Sequence, residues 1–157
     1  MAQPGMSRGT FAAFRLKPGD DLLDRLHAAR RDIGADALTL VTCVGSLTRA
    51  TLRYADRDDA VLHEGRFEIV SLVGTVDPEG HHLHLCIADG AGRVIGGHLV
   101  SGATIYTTAE IVVVALDDLS FSRARCGLSG YRELSVEPKG IKSAEAATPP
   151  PSPEGDA

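Results

Sequence analysis

The sequence predicts an α/β protein of the α+β type, a mainly antiparallel β-sheet with one packed α-helix. Three observations carry this. Residues 20–34 have helical periodicity and helix-end residues. The apolar stretches that follow are divided by the turn sequences Asp77-Pro78-Glu79-Gly80 and Asp89-Gly90-Ala91-Gly92. Such close spacing favours antiparallel meanders over parallel crossovers. The run Ile111-Val112-Val113-Val114-Ala115-Leu116 lacks polar alternation, the pattern of a strand covered on both faces. The helix can cover one face; a second sheet or another subunit must cover the other.

The elements follow in order. Residues 1–9 read as a flexible N-terminus and TFAAFRL (10–16) as the first strand, ended by Lys17-Pro18-Gly19. Asp20 is the expected N-cap of DDLLDRLHAARRDIG, which has acids in its first turn and Arg30/Arg31 near its end, as the helix dipole prefers. Leu22, Leu26, Ala29 and Ile33 recur at helical spacing and mark the buried face, Gly34 suits the C-terminal cap, and His27 is a surface or boundary side chain. ALTLVTCVGS and LTRATLRYA read as two strands broken at Gly45-Ser46. AVLHEGRFEIVSLVGTV, HHLHLCIAD, GRVIGGHLV and ATIYTTAEIVVVAL follow, and LSFSRARC and YRELSVEP supply edge strands. KGIKSAEAATPPPSPEGDA has almost no large apolar residues. It cannot bury enough surface to order itself, so a domain over 10–137 is followed by a disordered tail over 138–157.

At 157 residues the chain is one domain's worth. Aromatics are 4% and Trp is absent, so the core is aliphatic and stacking platforms for bases are scarce. The net charge is -5, and Arg30-Arg31 and Arg123/Arg125 are isolated surface pairs, so direct DNA binding is not expected. Cys43, Cys86 and Cys126 form no CxxC pair and read as small hydrophobes in a reducing compartment. No apolar leader core or membrane-length run occurs. The expectation is a soluble, intracellular protein, cytoplasmic or nuclear, without a membrane partner.

Four of the six histidines fall in HHLHLCIADGAGRVIGGHL. Strand alternation puts His82, His84 and Cys86 on one face and Leu83, Leu85 and Ile87 on the other. A three-residue loop, Gly90-Ala91-Gly92, would set His84 across from His98 on the same face. That loop wants a left-handed residue before the returning strand, which Gly92 suits. A two- or four-residue loop would turn His98 away unless Gly96-Gly97 forms a bulge. Three neutral imidazoles on a rigid sheet would hold a divalent ion, zinc above others, whose open fourth position would lower the pKa of a water. The alternative is a set of polar interface contacts. Glu110 is the candidate acid/base, as an oxygen ligand or supporting partner of that face. His81 and His63 fall outside the alternation and read as surface. In Gly65-Arg66-Phe67-Glu68-Ile69, Arg66 and Glu68 share one face, as an ion pair or interface patch, and Phe67 and Ile69 the other. No nucleotide loop or nucleophile elbow is present, and no paired carboxylates stand out as a catalytic pair.

RLKPGDDLLDRL, VGSLTRATLRY, EGRFEIVSLVGTV and HHLHLCIADGAGRVIGGHLVSGATIYTTAEIVV together resemble the plant and prokaryote conserved domain (PPC, or DUF296) over roughly residues 10–136. The resemblance implies a PPC-like antiparallel sheet with a packed helix, assembled as a homotrimer. In land plants the domain follows an AT-hook and mediates trimer formation and contacts with nuclear proteins, partly through the region matching Gly65–Leu72. Prokaryotic members are usually stand-alone domains, often labelled as predicted DNA-binding proteins. His82, His84 and His98 match the family's HxH and GGH pattern. The chain has no Arg-Gly-Arg-Pro core and so resembles the form without an AT-hook.

Two functions follow as expectations. The leading one is a trimeric protein-interaction or regulatory module, with Gly65, Arg66, Phe67, Glu68 and Ile69 on its partner surface and any DNA association indirect. The alternative is a zinc or small-molecule site at His82, His84 and His98 with hydrolytic or isomerising activity.

Overall fold

The computed structural model describes residues 4–140. In chain order these form β1 (Gly9–Leu16), α1 (Leu22–Ile33), β2 (Leu38–Arg53), β3 (Ala60–Asp77), β4 (Gly80–Ala88), β5 (Val94–Leu116), β6 (Leu119–Arg125) and β7 (Arg132–Pro138). Five strands make one antiparallel sheet in the order β1-β5-β2-β3-β4, and β4 also pairs with the start of β5, so the sheet closes on itself at that end. β6 and β7 pair only with each other; they form a separate hairpin, not edge strands of the main sheet.

The helix lies where its periodicity places it, with its cap one residue later than expected. Asp21, in extended backbone, accepts from the N–H groups of Leu23 and Asp24. Asp20 instead accepts from the Lys17 N–H and pairs with Arg25. Two adjacent aspartates are equivalent to a cap rule; the backbone turn before them decides which one serves. Gly34 takes the left-handed conformation, φ 72°. Leu22 and Leu26 are buried as expected and Leu23 joins them, while Ala29 and Ile33 at the far end are half-buried.

Two expected breaks are absent. β2 and β5 each run through as single strands with shifts of register. Gly45 is a point of contact: at φ 150°, a Cβ there would fall 2.1 Å from the Thr108 carbonyl oxygen of β5. Glycine therefore keeps the strands together.

The core between α1 and the sheet is aliphatic, including Leu26, Leu47, Leu52, Leu83, Leu85, Ile87 and Leu99, all fully buried. In the Ile111–Leu116 run, burial alternates: Ile111, Val113 and Ala115 are buried, Val112 and Val114 half-buried. The chain itself covers one face of that strand, not both. Val44, Val70 and Val73 are exposed. Among the described residues, no helix is long and apolar enough to cross a membrane. Arg8, within the expected flexible start, pairs with Asp118 at 2.7 Å. Most of the expected tail lies outside the described residues.

Candidate metal centre

The closed end of the sheet brings the histidines together. The β4–β5 connection is the three-residue one: Ala88 pairs with Val94, the Asp89 N–H donates to the Arg93 carbonyl, and Gly92 sits at φ 77°. His84 is therefore directly opposite His98, and on its other side His98 pairs with Arg53 of β2. His82 and His84 project from the face opposite the fully buried Leu83 and Leu85.

One ring nitrogen from each of His82, His84 and His98 lies within 4.8 Å of the others, and the His82 and His84 Nε2 atoms are 3.3 Å apart. Two nitrogens each about 2.0–2.1 Å from a tetrahedral zinc ion are about 3.3–3.4 Å apart, so the His82–His84 pair has the spacing of two ligands of such an ion. Burial, and then the charge of Arg53, push His98 down to about 4. Burial and the neighbouring His84 lower His82. Both shifts favour the neutral imidazole, the form that ligates a metal.

The cluster opens into a cleft of about 680 Å³. Much of its wall comes from residues the sequence did not mark as a site: Arg53, Glu79, Arg123, Tyr131, Arg132 and Glu133. Arg123 is not a surface charge. Its guanidinium donates to the Asp77 carboxylate at 2.8 Å and to Thr75, and both ion-pair side chains are nearly or wholly buried. This pair fastens the β6–β7 hairpin to the end of β3. Arg132 pairs with Glu79 and donates to the Arg123 carbonyl. The only sequence signal for this wall was the arginines themselves, which no local pattern separates from solvated charge.

The other expected residues lie outside the three-histidine cluster. Glu110 is at the far part of β5, opposite Arg15 and Val44, about 40 Å along the strand from His98; it does not line the cleft. His81 borders the cleft, half-buried and hydrogen-bonded to His27 at 3.1 Å, so it is not the surface residue expected, while half-buried His27 sits at the boundary. His63 is hydrogen-bonded to the Tyr54 hydroxyl at 2.8 Å. The Arg66 guanidinium lies over the Tyr106 ring, 4.9 Å from its centroid, and forms no ion pair with Glu68 among the described residues. Ile69 is buried and Phe67 packs on the core, so Gly65, Arg66 and Glu68 are what that stretch shows to solvent.

Residues 4–117 match the family model of the Plants and Prokaryotes Conserved (PCC) domain. The bifunctional protein GlmU of Synechococcus sp. (strain JA-3-3Ab) is 46% identical over 140 residues, which are 89% of this chain and 22% of that protein. The chain thus spans about a fifth of the length of that relative. A hypothetical protein from Salmonella enterica, known by structure, is 40% identical with a TM-score of 0.84, covering 86% of this chain and 98% of that one. A metal-containing protein from Archaeoglobus fulgidus is 26% identical with a TM-score of 0.72, covering 84% and 98%.

Proposed function

This chain belongs to the Plants and Prokaryotes Conserved domain family, and from that premise we propose that it is a metal-binding module in which His82, His84 and His98 hold one divalent ion, zinc above others. The observation that carries the reading is the convergence of three imidazole nitrogens within 4.8 Å on one sheet face. The relative from Archaeoglobus fulgidus, a metal-containing protein of the same fold, supports it. Three protein ligands leave a position for a further group, and a bound ion supplies Lewis acidity there. The chain's own contribution is to fix the rings: β4 sets two of them, and the three-residue turn sets the third. The test is metal content of the purified protein by elemental mass spectrometry, beside His84→Ala. About one zinc per chain, absent in the variant, is the expected result. No stoichiometric metal after zinc addition would sink the reading.

The trimeric interaction or regulatory module is a second reading, and the two are compatible. It is favoured by the exposed valines Val44, Val70 and Val73 and the half-buried Val112 and Val114, since apolar surface of that kind marks interfaces. In this reading a second and third copy cover those valines, and Gly65, Arg66 and Glu68 form part of a surface for other proteins. Light scattering gives the first answer: a monomer at micromolar concentration would remove the reading. Arg66→Ala/Glu68→Ala should lose partner capture while keeping the thermal midpoint.

A further inference from the structure

Arg53 is the one arginine of the cleft whose side chain has no ion-pair or hydrogen-bond partner among the described residues. Its neighbours in that wall are both engaged: Arg123 with Asp77 and Arg132 with Glu79. Arg53 ends β2 beside His98, is half-buried, and lines the same cleft as the three histidines. Two carboxylates there are not paired with an arginine. Asp56 is on an exposed turn, and Glu133 accepts the Ser129 hydroxyl at 2.8 Å. Imidazole ligands bring no negative charge to a divalent ion. The ion and Arg53 together carry three positive charges against two from Asp56 and Glu133, so the loaded cleft keeps a positive excess. A guanidinium is a planar fork of donors suited to carboxylate and phosphate oxygens.

We infer that Arg53 makes the histidine cleft a receptor for a small oxyanion, a carboxylate or phosphate group held between the guanidinium and the metal's open side. This rests on the metal-binding reading above. It goes further in naming the ligand class and the residue that selects it. The β6–β7 hairpin lines one side of this open cleft with Tyr131 and the Arg132–Glu79 pair.

The experiment uses the full chain loaded with cobalt(II), whose visible absorption reports its ligands. Acetate and inorganic phosphate are titrated separately. A saturable spectral change with acetate alone assigns a carboxylate ligand, and one with phosphate alone assigns a phosphate; either supports the inference. Arg53→Gln should bind cobalt as the parent does and weaken the responding anion about tenfold, equivalent to about 1.4 kcal/mol. Arg53→Lys, which keeps the charge, should fall between them. Cobalt bound with no response to either anion, or equal anion affinity in a folded Arg53→Gln protein, overturns this inference and leaves the metal reading intact. Failure to bind cobalt at all overturns both.

Discussion

The two faces of β4 differ in what their residues touch. Leu83, Leu85 and Ile87 are fully buried against the core. His82, His84 and Cys86, one step out of phase with them, face the cleft or the sheet exterior. The first face is determined many times over, because every aliphatic neighbour favours the same burial. The second depends on a few long-range contacts: the pairing of β5 with β4, the approach of Arg53, and the Asp77–Arg123 pair under the hairpin. A site built this way can be lost without unfolding the sheet, and the core can be weakened without changing the site's ligands.

The sharpest break in that comparison is at the joint between the two regions. Asp77→Ala leaves the Arg123 guanidinium buried without its partner. It should destabilise the protein by about 3–5 kcal/mol, measured by urea unfolding. A loss below about 1 kcal/mol would show that the hairpin is not anchored by this pair. On the inner face, Leu85→Ala should cost about 2–5 kcal/mol and leave zinc stoichiometry unchanged; loss of zinc would mean that the faces are not independent. On the outer face, His84→Ala should change the stability of the metal-free protein by less than about 0.5 kcal/mol. It should also abolish the stabilisation by zinc, about 2.7 kcal/mol at a hundredfold excess over Kd. A zinc-induced rise in thermal midpoint that survives in His84→Ala would contradict the proposed ligand set.

The cysteines sharpen the contrast at smaller scale. Burial pushes the Cys43 thiol up to about 12 from 9.0, whereas the backbone N–H groups of Ser129 and Leu128 lower Cys126. Iodoacetamide at mildly alkaline pH should therefore modify Cys126 first and Cys43 last in the native protein, by peptide mass spectrometry. Rapid labelling of Cys43 would mean that the core opens readily. The linkage has a definite sign. The raised Cys43 thiol contributes stability that is fully present below 9.0 and is lost as pH rises toward about 12. Cys43→Ala should flatten that alkaline loss, even though its cavity lowers stability at neutral pH.

The local patterns settled a good deal. Periodicity in Leu22 and Leu26, the capping glycine at 34 and alternation in Leu83, Leu85 and Ile87 depend on neighbours within a few residues. The turn sequence Gly90-Ala91-Gly92 gave the condition under which His84 would face His98, and the structure meets it. A hairpin turn is local chemistry, so its register can be read from the chain. Gly45 misled for the complementary reason. Its role is the close approach of Thr108, 63 positions away, and a glycine in a β-rich stretch looks the same whether it breaks a strand or lets two strands touch.

The sequence by itself determined the helix, the alternating strands, the aliphatic core and a pair of histidines on one strand face. Each of these is set by short-range spacing or by composition. Only the tertiary structure decided that Arg53, Arg123 and the β6–β7 hairpin line a cleft with those histidines, and that Glu110 does not. Charged side chains carry no periodic signature of their partners. Which of them meet depends on the closure of the sheet, a property of the whole chain.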